Sequence, residues 1–114
     1  MGGALAEATS DTFRDIVSQG PVLVDVWGPE CAPCIALMPD VEALALAHPD
    51  VKFVKLDSSK ARRLCMELRV MGLPAFLLFH DGREVGRIAG QDGNAARLTE
   101  WLDATLGAIG KEGN

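Results

Sequence analysis

Apolar residues alternate with polar ones in short runs along this chain, and the spacing changes from one run to the next. Val22 to Trp27 is almost wholly apolar and rich in β-branched residues, the pattern of a central strand covered on both faces. Val51 to Leu56 and Ala75 to His80 read the same way. Between them the spacing turns helical. Cys31 to about His48 places Cys34, Leu37, Met38, Val41 and Ala45 on one side, and about Lys60 to Arg69 places Ala61, Leu64, Cys65 and Leu68 together. Pro39 lies inside the first of these helices, where a missing N–H and a clash with the preceding turn predict a kink near Ile35. Leu5 to Glu7 reads as a short first strand. Phe13, Ile16 and Val17 follow on one helical face, with Ser10 or Asp11 as the expected cap and Gly20-Pro21 as the stop. Asp81-Gly82 is a two-residue hairpin signal, so Arg83 to Ala89 is expected to return antiparallel. Gly90 to Gly93 form a loop. Asp92 or Asn94 caps a last helix carrying Leu98, Trp101, Leu102, Thr105 and Leu106, and Gly107 to Asn114 is expected to fray.

The element order is β-α-β-α-β-α-β-β-α. Helical crossovers imply parallel strands and the hairpin an antiparallel pair. The expectation is an α/β fold: one domain over residues 1–114, with a central mixed sheet of four to five strands flanked by about four helices.

At 114 residues, 48% of them hydrophobic, the chain is long enough to bury a core without disulfide staples. A net charge of −5 argues against a general nucleic-acid binder, which needs a basic face. No apolar stretch reaches the length of a bilayer span, and the first residues lack the basic-then-apolar pattern of a secretory leader, so no membrane role and a cytoplasmic location are expected. Three cysteines are too few for a disulfide scaffold. In a reducing compartment, two of them at CxxC spacing point to redox or metal chemistry.

Those two are Cys31 and Cys34, where a strand hands over to a helix. The sulfurs can sit close together at a helix N-terminus, whose partial positive charge and unpaired N–H groups favour a thiolate. Such a pair can cycle between dithiol and disulfide, which suggests a protein thiol–disulfide oxidoreductase. A zinc site needs four ligands. There is no second CxxC and no closely spaced Cys/His pair, and His48, Cys65 and His80 are scattered. Cys65 reads as a buried, inert thiol, Trp101 as packing, and the two histidines as without chemistry.

Several features together resemble the thioredoxin family over nearly the whole chain. They are Asp25 in the strand before the motif, Trp27 four residues before Cys31, Cys31-Ala32-Pro33-Cys34, Pro39, Lys55, Met71-Gly72-Leu73-Pro74 before an apolar strand, Asp81-Gly82 and Gly90. The resemblance implies a thioredoxin fold and a redox disulfide Cys31–Cys34. In it Cys31 is the exposed nucleophile and Cys34 the buried resolving thiol. Asp25 matches the buried carboxylate beneath the pair, Lys55 its neighbouring lysine, and Pro74 a cis-proline opposite the disulfide. Trp27, Gly28, Pro29, Glu30, Leu73, Gly90 and Gln91 would line the groove for an extended client segment. No cofactor and no metal are implied. The expected partners are disulfide-containing client proteins and a reductase as electron donor, and the chain is expected to be a monomer.

Read without the resemblance, several of these positions keep a second meaning. Asp25 interrupts an apolar strand, either as a buried carboxylate whose pKa rises until it can take the Cys34 proton or as a solvated edge residue. Lys55 shares the parity of Val51 and Phe53, so its stem can be buried while the ammonium reaches Asp25 or water; the alternative is a surface lysine. Pro74 is equally a trans proline at a strand start, and Trp27 is core or groove wall.

The chain also departs from the family's usual Trp-Cys-Gly-Pro-Cys-Lys. It has Glu30 before the motif, Ala32 within it and Ile35 after it. A negative charge gained and a positive one lost both disfavour the Cys31 thiolate. The altered docking corner suggests narrower clients and poor binding to a standard reductase. Leu73 before Pro74 resembles reducing members of the family. The competing classes are a thioredoxin-fold binding module whose cysteines are secondary, and a CxxC metallochaperone.

Overall fold

The computed structural model describes residues 5–89 and 94–112 of the chain. Five strands form one sheet in the order β1-β3-β2-β4-β5: β1 (Ala6–Ala8), β2 (Pro21–Trp27), β3 (Lys52–Asp57), β4 (Ala75–His80) and β5 (Arg83–Ala89). The helices are α1 (Phe13–Ile16), α2 (Ala32–Ala47), α3 (Arg62–Glu67) and α4 (Ala95–Glu112), and a 3₁₀ turn (Ser58–Lys60) precedes α3. The element order is the one the hydrophobic spacing predicts.

β2 is central and its interior is buried throughout, because alternate residues feed two cores. Val22, Val24 and Val26 pack with Phe13 and Val17 at α1 and with Leu64, Cys65 and Leu68 at α3. Leu23 faces the other way and packs with Val41 and Leu44 of α2 and Leu98 and Leu102 of α4. Leu37, Met38 and Ala45 of the predicted α2 face lie partly buried against that second core. The α2 helix runs unbroken through Pro39.

Four expectations need correction. β4 runs antiparallel to β2, not parallel, although a helix separates it from β3. The sixteen residues of α2 carry the chain back ~24 Å, so β3 starts beside the start of β2. The six residues of α3 rise only ~9 Å, and β4 therefore sets out from the end where β3 finished. At the first helix, neither Ser10 nor Asp11 caps it. The N-cap is Thr12, without a side-chain cap hydrogen bond, and in the turn leading to it the Thr9 amide donates to Thr12 Oγ1 at 2.9 Å and the Thr12 amide to Thr9 Oγ1 at 3.2 Å. Third, α3 begins at Arg62 rather than Lys60, because Asp57 accepts from the Ser59 amide at 2.9 Å and holds Ser58–Lys60 in a tighter turn. Lastly, the segment expected to fray from Gly107 is helical as far as Glu112. Leu106 and Ile109 anchor it against the second core.

The hairpin at Asp81-Gly82 is built as its sequence suggests. Both residues have positive φ, 52° and 87°, and a glycine takes the second of these without strain. Asp81 also accepts a hydrogen bond from the Gly20 amide at 2.7 Å, which ties the hairpin to the turn before β2. At the far end of the chain, Asn94 caps α4 by accepting from the Arg97 amide at 2.9 Å. The loop from Gly90 to Gly93, with the alternative cap Asp92, lies outside the described residues.

Candidate active site

The parallel pair β2 and β3 ends level, with Trp27 opposite Asp57. The loops leaving both strands therefore emerge at one edge of the sheet. Antiparallel β4 begins at that same edge, which brings Leu73 and Pro74 to it. Open α/β sheets bind ligands beyond the carboxyl ends of their strands, and the cysteine pair lies there.

Cys31 is the N-cap of α2 and Cys34 lies in its first turn, with Pro33 beside it in a position that suits the missing N–H. The two are joined by a disulfide, with Cα atoms 5.2 Å apart. Cys31 Sγ accepts a hydrogen bond from the Cys34 amide at 3.2 Å. That is the contact an oxygen makes at an ordinary N-cap, and here it directs the positive end of the helix at sulfur. Cys31 is half-buried, whereas Cys34 is only 2% exposed. Cys31 is thus the accessible member of the pair and Cys34 the sealed one.

In β2, two residues before the strand's end, Asp25 is 1% exposed. It stands in register with Lys55 of β3 and Phe76 of β4, and its parity with Leu23 points it to the side of the sheet that α2 covers. Burial lifts its pKa from an ordinary 3.8 to about 7, and the Lys55 charge partly opposes the rise. Asp25 Oδ1 has no hydrogen-bond partner among the described residues. The buried reading of Asp25 therefore holds over the solvated one. Lys55 is half-buried, with Nζ 5.5 Å from the centre of the Trp27 ring, a cation–π distance. Trp27 Nε1 is buried and, like Asp25 Oδ1, unpartnered among the described residues.

The Leu73–Pro74 peptide bond is cis. Gly28 packs tightly against this corner. A Cβ at position 28 would lie 3.3 Å from Leu73 Cδ1 and 3.5 Å from Ser58 Oγ. Gly28, Pro29, Glu30, Cys31 and Leu73 line one open hollow of about 450 Å³. Trp27 does not line it. Gly90 and Gln91 lie outside the described residues. The hollow's other wall is Ser58, Ser59 and Arg62, three residues that the motif reading missed. Their signal was positional, since they follow directly on the carboxyl end of β3.

Elsewhere, Cys65 is free and buried, and burial first, then the Asp57 charge, raises its thiol pKa above the ordinary 9.0. Trp101 packs partly buried on the second core. Among the described residues no three His, Cys, Asp or Glu side chains gather as metal ligands would, and no helix is long and apolar enough to cross a membrane.

A solvent-accessible cysteine bonded to a buried one at a strand-to-helix junction, within this sheet order, defines a thiol–disulfide oxidoreductase of the thioredoxin fold. The chain belongs to the thioredoxin family, whose family model matches residues 4–104. Thioredoxin of Acetoanaerobium sticklandii is 41% identical over 95 residues, which cover 81% of this chain and 90% of that protein. Thioredoxin of Peptoclostridium acidaminophilum is 36% identical over 110 residues, covering 94% of this chain and all of that one. Among solved structures, thioredoxin f from spinach chloroplast in its short form superposes with a TM-score of 0.82 at 32% identity, over 90% of this chain and 93% of its own. Oxidized mitochondrial thioredoxin 3 of Saccharomyces cerevisiae gives 0.80 at 29%, over 89% and 95%. The protein is thus a protein-disulfide oxidoreductase, and thioredoxins act on disulfide clients with a reductase as donor.

Proposed function

We propose that this chain reduces disulfides in client proteins, with Cys31 as nucleophile and Cys34 as resolving thiol. The observation that carries the reading is the asymmetry of the pair: Cys31 reaches solvent at a helix N-terminus while Cys34 is sealed. In the dithiol form, the Cys31 thiolate attacks one sulfur of a client disulfide. A mixed disulfide forms and the other client sulfur leaves as a thiolate. Asp25, with its pKa near neutrality, takes the Cys34 proton as general base. The Cys34 thiolate then attacks Cys31 Sγ, the client leaves as a dithiol, and the Cys31–Cys34 disulfide is formed. Two electrons and two protons from a reductase restore the starting state. Lys55 tempers the rise in the Asp25 pKa, and its ammonium sits 5.5 Å from the centre of the Trp27 ring.

The client segment lies extended in the hollow against Gly28, Pro29, Glu30 and Leu73, with Pro74 behind Leu73, and the family resemblance adds Gly90 and Gln91 to its binding residues. Glu30 and the half-exposed Ile35 replace an aromatic and a cation at this docking face, which supports a narrow client range and a reductase other than the standard one. A cytoplasmic monomer completes the reading.

The test is insulin reduction with dithiothreitol as donor, together with client trapping. Wild type accelerates the reduction, Cys31→Ser abolishes the acceleration, and Cys34→Ser accumulates mixed disulfides through Cys31. Equal reduction by wild type and Cys31→Ser overturns the proposal in favour of a binding module.

A further inference from the structure

The hollow beside Cys31 contains a positive charge that the thiol–disulfide cycle does not use. Arg62 opens α3, is exposed, and makes no ion pair or side-chain hydrogen bond among the described residues. Two other arginines are engaged, Arg14 with Glu67 and Arg87 with Glu84, and of the arginines without an ion pair among the described residues only Arg62 lines this hollow. Ser59, next to it on the same wall, is also committed, because its amide and its hydroxyl both donate to Asp57, at 2.9 Å and 2.6 Å. Ser58 is half-buried with its hydroxyl against Gly28, and no protein acceptor takes that proton among the described residues. Two sets of unspent donors, a guanidinium fork and a hydroxyl, therefore face the space a client must cross to reach Cys31. Glu30 lines the same hollow but forms no ion pair with Arg62, so the two opposite charges remain separate features of the surface.

Resting on the oxidoreductase reading above, we propose that Arg62, assisted by Ser58, selects client segments with an acidic side chain beside the target cysteine. The planar guanidinium matches a carboxylate in two-point geometry. The chain's overall charge of −5 repels acidic polypeptides at long range, so any preference for them must come from a local cation. The same net charge, with Glu30 in the hollow, disfavours a doubly charged phosphate relative to a single carboxylate. Glu30 further discriminates against an acidic residue at its own end, and charge order along the client strand becomes part of the recognition.

The experiment uses the reduced protein and three disulfide peptides that differ only in the residue flanking the reactive cysteine: Asp, Asn or Lys. Wild type is expected to show kcat/KM about three- to tenfold higher for the Asp peptide than for the Lys peptide, through KM, with the ratio shrinking as salt is added. Arg62→Gln brings the ratio close to one, and Arg62→Glu inverts it. Arg63→Glu makes the same change in net charge one residue away, outside the hollow lining, and leaves the wild-type ratio unchanged. A wild-type ratio of one, or an Arg63→Glu effect equal to that of Arg62→Glu, overturns the assignment. Reduction of the Asn peptide by wild type, and its loss in Cys31→Ser, reports on the oxidoreductase reading separately, so a flat charge preference with that activity intact defeats the Arg62 proposal alone.

Discussion

Asp25 places a carboxyl in the buried interior of β2. A carboxyl with a folded pKa of about 7, against 3.8 in the unfolded chain, binds its proton more tightly when folded. It therefore adds stability that is complete below pH 3.8 and is lost as pH rises through about 7. The difference corresponds to about 4 kcal/mol of penalty once the group is ionised. Asp25→Asn is expected to stabilise the protein by an amount approaching that figure above neutrality and by almost nothing in acid. Urea unfolding of both forms across the range checks it. The same variant should slow release of the mixed disulfide, because the proposed base for Cys34 is gone. A variant no more stable at high pH than wild type would mean that Asp25 is better solvated than its burial indicates.

At the scale of elements, α2 links the site to the rest of the fold. Its first turn holds the disulfide, and its last is pinned by His48, which contacts the Leu44 carbonyl at 2.9 Å through Nδ1 and Asp103 of α4 at 2.8 Å through Nε2. The hydrogen bond to Asp103 is the main cause raising the His48 pKa above its ordinary 6.5. Burial opposes it, while the Leu44 contact and the Asp103 charge add to it. A histidine raised on folding contributes stability that is fully present below pH 6.5 and fades as pH rises through the raised value. The α2–α4 junction is therefore expected to weaken as pH rises from 6.5 through the raised value. Comparing unfolding midpoints of wild type and Asp103→Asn on either side of that range tests this: the variant should lose the His48 part of the slope, and an unchanged slope would remove the idea. Asp103 lies 55 residues from His48, so this partner is not visible in the sequence and only packing supplies it.

Across the whole molecule, the sheet separates two cores, and α2, which carries the site, packs on the second of them. Leu102 is fully buried in the core that α2 and α4 share. Leu102→Ala should cost about 2–5 kcal/mol, read as a shift in urea midpoint, while the Cys31–Cys34 bond still forms, because the cap geometry at the other end of α2 is local. Failure to form that bond would show that the site needs the α4 contact as well. Strand positions, the hairpin and the buried faces of α3 and α4 were readable from spacing, because each obeys one period. The face of α2 was harder to read. Ile35 and Leu46 are apolar yet 51% and 77% exposed, so hydrophobicity alone does not orient that helix, and Leu44, which is buried, was not singled out.

The cysteine pair, its strand-to-helix setting and the carboxylate in β2 are local in the chain, and the sequence alone determined them, because the chemistry of a CxxC needs only one helical turn. The direction of β4, the burial that raises Asp25, the meeting of Gly28 with Leu73 and Ser58, and the appearance of Arg62 beside Cys31 join segments far apart in sequence. No period or motif encodes such meetings, and only the tertiary packing decided them.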